Sequence, residues 1–196
     1  DTSLAGAEDY VVGAYRLLTS ERAEALGRYY CDSEYDLTPL RRSGRKLLEL
    51  GRSCVAPDHR GGAGMLLLWN ALADYVLARG IEILFGVASF HGTDVEALRM
   101  PLAWLHHHHL APPELRPRAL PDHFQPMDLV PLAALDRRAA LQGMPNLIKA
   151  YLRLGGFVGD GAYVDHVFNT TDVLLLMDTT AMSDKYRDFY ARRFEA

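Results

Sequence analysis

Cysteine is scarce in this chain: 196 residues carry two, Cys31 and Cys54. Two thiols cannot staple a domain of this length, and nothing around them has metal-ligand spacing. A disulfide scaffold and a zinc module are therefore excluded, and two free thiols in a reducing cytoplasm are expected. A basic excess is lacking too. Lys and Arg number 21 against 25 Asp and Glu, a net charge of −4, which argues against a general nucleic-acid binder, because counterion release needs a basic face. No apolar run reaches the roughly 20 residues of a membrane span, and no secretory signal is visible. What is present is ordinary globular composition, 49% hydrophobic and 23% charged, long enough for one domain with a real core. Residues 1–196 are read as that single domain.

Periodicity predicts the layout. Residues 10–18 are β-rich, 20–30 form a short helix, and 31–45 are polar and turn-like. Residues 47–55 form a strand and 61–79 the strongest helix, with Met65, Leu68, Trp69, Leu72 and Val76 on one face and Gly80 as its stop. The continuous apolar run 81–90 is a buried strand. A helix over 94–109 is interrupted by Pro101. Six of the ten prolines fall within 112–131, a stiff surface connection. Short helices at 136–141 and 146–154, a strand–turn–strand over 163–177 and a basic amphipathic helix over 184–194 complete the order. The fold class is α/β, a mixed sheet flanked by helices. The chain starts at Asp1 and enters a strand almost at once, so N-terminal elements of the fold are expected to be missing.

The most informative stretch is LELGRSCVAPDHRGGAGMLLLW, residues 48–69. A strand that runs into a glycine-rich turn and opens a helix binds anions, because unpaired N–H groups and the helix dipole face the ligand. The loop lacks the Gly-Lys-Ser/Thr ending of a P-loop and the G-x-G-x-x-G spacing of a dinucleotide fold. The pyrophosphate or phosphopantetheine loop of the GNAT acyltransferases remains. The usual Gln/Arg-x-x-Gly-x-Gly/Ala pattern is matched only partly, with Ala63 and Met65 at its fourth and sixth positions; a glycine-rich turn with no ligand is the alternative.

The wider context is more specific. Glu-Leu-Gly-Arg-Ser-Cys-Val (49–55), Leu-Leu-Leu-Trp (66–69), Phe-Gly-x-Ala-Ser-Phe-x-Gly-Thr-Asp (85–94), Leu-His-His-His (105–108), Arg-Ala-Leu-Pro (118–121), Tyr-Leu-Arg-Leu-Gly (151–155) and Phe-Asn-Thr-Thr-Asp-Val (168–173) occur in order. Together they resemble the L-ornithine Nα-acyltransferases of ornithine-lipid synthesis, in the haemolysin-like branch of the GNAT superfamily. The resemblance runs from about residue 10 to the C-terminus. It implies transfer of a 3-hydroxyacyl group from acyl carrier protein to the α-amine of ornithine, giving lyso-ornithine lipid. No resident cofactor is implied; the acyl-phosphopantetheine of acyl carrier protein, or acyl-CoA, is the donor.

Aminolysis of a thioester needs a base for the amine, a donor for the oxyanion and a grip on the acyl carrier. Glu49 is the candidate base, directly or through a water, and Glu49-x-x-Arg52 also resembles the spacing in the homoserine-lactone synthases. In a regular strand Glu49 and Arg52 point to opposite faces; a β-bulge near Gly51 would bring them together. A structural ion pair is the competing role. By resemblance, the N–H of Val55 is the oxyanion donor, Arg60 with the amides of Gly61, Gly62 and Gly64 holds the pantetheine phosphate, and Ser89 bonds the pantetheine arm or serves as an ordinary core hydroxyl. Asp165 and Asp172 are candidates for the ornithine side-chain ammonium, against simple turn chemistry. Arg41, Arg42, Arg45 and Lys46 are candidates for docking the acidic carrier protein. Arg192 and Arg193 on the terminal helix suit peripheral contact with anionic lipid at the inner membrane face. His106 to His109 spread around their helix, so no metal site is expected. Other amine acceptors, an acyl-CoA donor, or a module that binds acyl carrier or lipid without turnover stay open.

Overall fold

A computed structural model describes residues 11–60 and 64–180. Nine strands and six α-helices lie along them. The strands are β1 (Gly13–Thr19), β2 (Tyr35–Asp36), β3 (Leu47–Val55), β4 (Ile83–His91), β5 (Arg118–Ala119), β6 (Phe124–Gln125), β7 (Phe157–Val158), β8 (Ala162–Asp165) and β9 (Thr170–Asp178). The helices are α1 (Ser20–Leu26), α2 (Thr38–Arg42), α3 (Gly64–Arg79), α4 (Arg99–His109), α5 (Arg137–Gly143) and α6 (Asn146–Arg153). The main sheet runs β1-β3-β4-β9-β8-β6, with β7 also on β9. β3 and β4 are parallel, and the other pairings of that sheet are antiparallel.

The central strands are apolar on both sides because both faces are covered. Leu48, Leu50, Leu84, Ala88, Leu175 and Met177 pack toward α3, α4 and α6. Leu47, Ile83, Phe85, Leu174 and Leu176 pack under the segment carrying Tyr29, Cys31, Tyr35 and Leu37.

Several expectations are corrected. Residues 31–45 contain a 3₁₀ turn (Cys31–Ser33), β2 and α2. β2 forms only because it pairs with β5, Tyr35 opposite Ala119, a partner remote in sequence. The proline-rich stretch is not confined to the surface: Leu115, Ala119, Met127 and Val130 are buried. The fourth helix begins at Arg99 rather than residue 94, so that Pro101 sits in its first turn, where a missing N–H costs nothing; Asp94 caps the preceding turn through Glu96 and Ala97 N–H. On α3, Leu72 and Val76 are buried as expected, whereas Met65 is exposed along with Leu66 and Leu67. The terminal helix read over 184–194, with Arg192 and Arg193, lies outside the described residues.

Candidate active site

The parallel pair opens almost as soon as it forms. Leu47, Leu48 and Glu49 pair with Ile83, Leu84 and Phe85, and past that point β3 and β4 diverge. Each keeps its outer neighbour along its length, β1 for β3 and β9 for β4. Gly86 stands at the fork, where an added Cβ would lie 2.3 Å from the Leu50 carbonyl oxygen. The gap is a cavity of about 200 Å³ lined from both faces of the sheet, by Leu50, Leu84 and Met177 on one and Phe85, Val87 and Leu176 on the other. A second, apolar cavity of about 170 Å³ lies under α3 and α6, and the two share Leu84, Tyr151 and Met177.

The expected bulge is present. Ala14 faces Cys54 but Arg16 faces Gly51, so β3 carries one extra residue around Arg52–Ser53. Arg52 adopts φ +54° there, a left-handed conformation uncommon for a residue with a side chain. Beyond the bulge, Ala56 N–H donates to Val12 O at 2.8 Å. Antiparallel ladders alternate, and Gly13 faces Val55; the Val55 N–H is therefore turned away from β1, toward the side on which β3 and β4 diverge.

Glu49 lies at the fork with 0% exposure. One carboxylate oxygen accepts Cys31 N–H at 2.7 Å, the other Tyr30 N–H at 3.1 Å and the Arg16 guanidinium at 3.5 Å. The ion-pair partner is thus Arg16 of the neighbouring strand, and no ion pair joins Glu49 to Arg52 among the described residues. Gly51 permits this: a Cβ there would come within 2.6 Å of the Arg16 guanidinium lying across it. Arg52 instead stands over the Tyr30 ring at 5.4 Å, with Arg16 at 5.2 Å from the same ring. Burial, with Glu49 beside it, pushes the Cys31 thiol up, which leaves it an inert core group.

Arg60 turns back so that its Nε donates to Val55 O at 2.9 Å. Gly64 opens α3, the helix that follows the loop; Gly61 and Gly62 lie outside the described residues. Ser89 is exposed and faces Asp172 in the β4–β9 register, and Tyr163 faces Asp172 from β8. Directly opposed residues share a sheet face, so Tyr163, Asp172 and Ser89 form one row. Alternation along β4 puts Ser89 on the face of Phe85, whose partner is Glu49. Ser89 thus stands beside the Asp172 carboxylate and, with Thr170 Oγ1 at 3.2 Å, helps stabilise its charge against burial, which still raises its pKa. Asp165 binds Val167 and Phe168 N–H at 2.7 and 2.9 Å, holding the β8–β9 turn.

Glu34 escaped the sequence reading. It follows the turn after Cys31, is 5% exposed, and its Oε2 has no partner among the described residues. Burial first, then the charges of Asp172, Asp165 and Glu49, lift its pKa to about 7. No periodic signal marks it, because its burial arises from strands far along the chain. Of the basic run, Arg41 is bound to Asp32 at 2.6 Å and Arg45 to Asp178 at 2.6 Å, while the Lys46 ammonium donates to Arg79 O. The histidine tract is packed into its surroundings, with His107 on Val130 O and His108 against Trp104.

The acetyltransferase (GNAT) domain model matches residues 3–70. An L-ornithine N(alpha)-acyltransferase of Rhodobacter capsulatus is 78% identical over 187 residues, covering 95% of this chain and 71% of that protein. One from Agrobacterium fabrum is 43% identical over 198 residues, covering 100% and 68%. The chain belongs to the L-ornithine N(alpha)-acyltransferase family. It is an acyltransferase with the α/β fold of the GNAT domain, a mixed sheet with flanking helices. A solved CoA-dependent acyl-homoserine lactone synthase, with SAM and isopentyl-CoA, superposes at a TM-score of 0.41 and 15% identity over 93% of this chain and 58% of that one. Among the described residues no helix is long and apolar enough to cross a membrane.

Proposed function

We propose that this chain, acting as one domain, transfers a 3-hydroxyacyl group from the phosphopantetheine thioester of acyl carrier protein to the α-amine of ornithine, giving lyso-ornithine lipid. The observation that carries the reading is the fork between β3 and β4, with the Val55 N–H turned toward its diverging side and Glu49 at its closed end. Arg60, Gly61, Gly62 and Gly64 at the α3 N-terminus hold the pantetheine phosphate. The thioester carbonyl lies in the gap, and the acyl chain continues into the apolar cavity under α3 and α6. Ornithine approaches from the opposite face, where Ser89, Asp165 and Asp172 stand. Arg42, beside the occupied Arg41 and Arg45, contributes to docking the acidic carrier.

The chemistry then balances. The ammonium of ornithine first loses one proton to solvent, and as its nitrogen bonds to the carbonyl carbon it gives a second to Glu49 through a water, since the carboxylate is fully buried. Nitrogen attacks the carbonyl carbon, and the oxyanion is held by the Val55 N–H. Collapse breaks the C–S bond, and the departing pantetheine sulfur takes a proton back from Glu49. Arg52 supplies positive charge beside Tyr30 for the acceptor's carboxylate.

Free-thiol release tests the reading, with 3-hydroxyacyl carrier protein or 3-hydroxyacyl-CoA as donor and ornithine as acceptor. Ornithine-dependent release with the carrier protein, reduced ~10²–10⁴-fold in kcat by Glu49→Gln, is expected for loss of a general base. Release with CoA alone would reassign the donor. Carrier binding without release under any amine would make the chain a binding module.

A further inference from the structure

Two buried carboxyls on the Glu49 face each have an oxygen left without a hydrogen bond among the described residues, although Ser89 stands beside the Asp172 carboxylate. Glu34 and Asp172 are each 5% exposed, and among the described residues Glu34 Oε2 and Asp172 Oδ1 accept no hydrogen bond. Buried polar atoms are almost always paired, because an unmet acceptor costs its full desolvation. Two neighbouring carboxyls in one desolvated place can be relieved in two ways: by a retained proton, or by a cation. Glu34 shows the first, as its carboxyl holds its proton to about pH 7. Opposite charge stands close by: Arg52 and Arg16 lie over the Tyr30 ring, and Tyr30 senses Glu34, Arg52, Asp172 and Asp165 together. One short segment, Tyr30 to Glu34, thus sets a cationic edge beside an anionic one.

We infer that Glu34 and Asp172 form a clamp for a second ammonium group on the acceptor, making Glu34 a specificity-determining residue for α-amino acids with a cationic side chain. This rests on the function proposed above and names residues that read its acceptor. The side-chain ammonium offers three donors and satisfies both orphan oxygens. The α-carboxylate pairs with Arg52 across Tyr30, which leaves the α-amine directed toward the β3–β4 gap. Ser89 and Asp165 stand at the rim, and Asp165, already occupied by the β8–β9 turn, adds charge without changing its bonds. Glu49, Asp165, Cys31, Tyr30, Tyr35 and Tyr163 are titratable groups facing the pair.

The test compares ornithine with norvaline, which has the same carbon chain and no second amine, for the parent, Glu34→Gln and Asp172→Asn. Thiol release is followed with 3-hydroxyacyl carrier protein, and binding of each amino acid is followed by calorimetry without donor. The parent is expected to favour ornithine in kcat/KM by at least ~100-fold, as for a site built to bond a polar group. Glu34→Gln should raise KM for ornithine ~10-fold or more, leave kcat within about threefold, and leave norvaline unchanged, so that the preference collapses. Ornithine should release a proton on binding near pH 7 in the parent, measured in buffers of different ionisation enthalpy, and release less in Glu34→Gln. An ornithine-to-norvaline ratio unaltered by Glu34→Gln, or equal losses for both, would overturn the clamp while leaving the transferase intact. A parent that binds ornithine with Glu34-linked proton release but never releases thiol would keep the clamp and overturn the proposed function. A parent that neither binds nor acylates ornithine overturns both.

Discussion

Glu34 is the residue whose environment is most out of keeping with its chemistry. It keeps a proton to about pH 7 when folded, against 4.5 ordinarily. Between those values the folded chain binds more protons than the unfolded chain, so stability declines as pH rises from about 4.5 through about 7. Glu34→Gln removes that contribution. Thermal denaturation across pH 4.5 to 8 should show a flatter profile for the variant, with its gain over the parent largest above pH 7. A variant that tracks the parent throughout would mean the carboxyl is not burdened in this way. Asp172, shifted in the same direction by burial, leaves part of the slope in place. Glu49 presents the contrasting case: fully buried yet supplied with three donors, it fastens the Tyr30–Cys31 turn to β3.

At the scale of elements the fork depends on Gly86, the position where β4 passes closest to the Leu50 carbonyl. Gly86→Ala should force the strands apart at the closed end, costing ~1–3 kcal/mol as overpacking does, and should shift Tm downward in a melting experiment; an unchanged Tm would show that the fork has slack. The elements that build it were largely legible. β3, β4, β9 and α3 announce themselves through apolar runs, a glycine-rich turn and a glycine stop, all local signals. β2, β5, β6 and β7 did not, because two-residue strands exist only through partners elsewhere, as Tyr35 does through Ala119. The acid-lined half of the site was legible only in part: Asp172 is a candidate from the sequence, whereas Glu34 lies 138 positions away from it and joins it only through packing. The Glu49–Arg52 spacing was visible but suggested a pair, whereas the bulge and left-handed Arg52 send the two side chains to different partners.

For the molecule as a whole, Arg45 ties the entry to β3 to the exit of β9. Its guanidinium spans both Asp178 oxygens at 2.6 Å and also reaches Glu82 and Thr180. That pairing, bidentate in geometry, holds the Asp178 carboxyl down to about 2. Its contribution is present above the ordinary carboxylate value of 3.8 and is lost as pH falls from there through about 2. Asp178→Asn should therefore lower the melting temperature at pH 6 and narrow that deficit on acidification toward pH 2, followed by circular dichroism. A deficit independent of pH would assign the effect to packing.

The sheet is, in mechanical terms, two panels stitched together by three residues of β3 and three of β4. One panel is β1 with β3; the other is β4 with β9, β8, β7 and β6. Along the open seam, the Val55 amide has no β1 carbonyl to hold its hydrogen. In heavy water such a strand should read as a dashed line: Cys54, bonded to β1, exchanging slowly, and Val55, facing the seam, exchanging fast. The same amide that is proposed to steady the oxyanion would then be a built-in reporter, falling silent when a donor thioester occupies the seam.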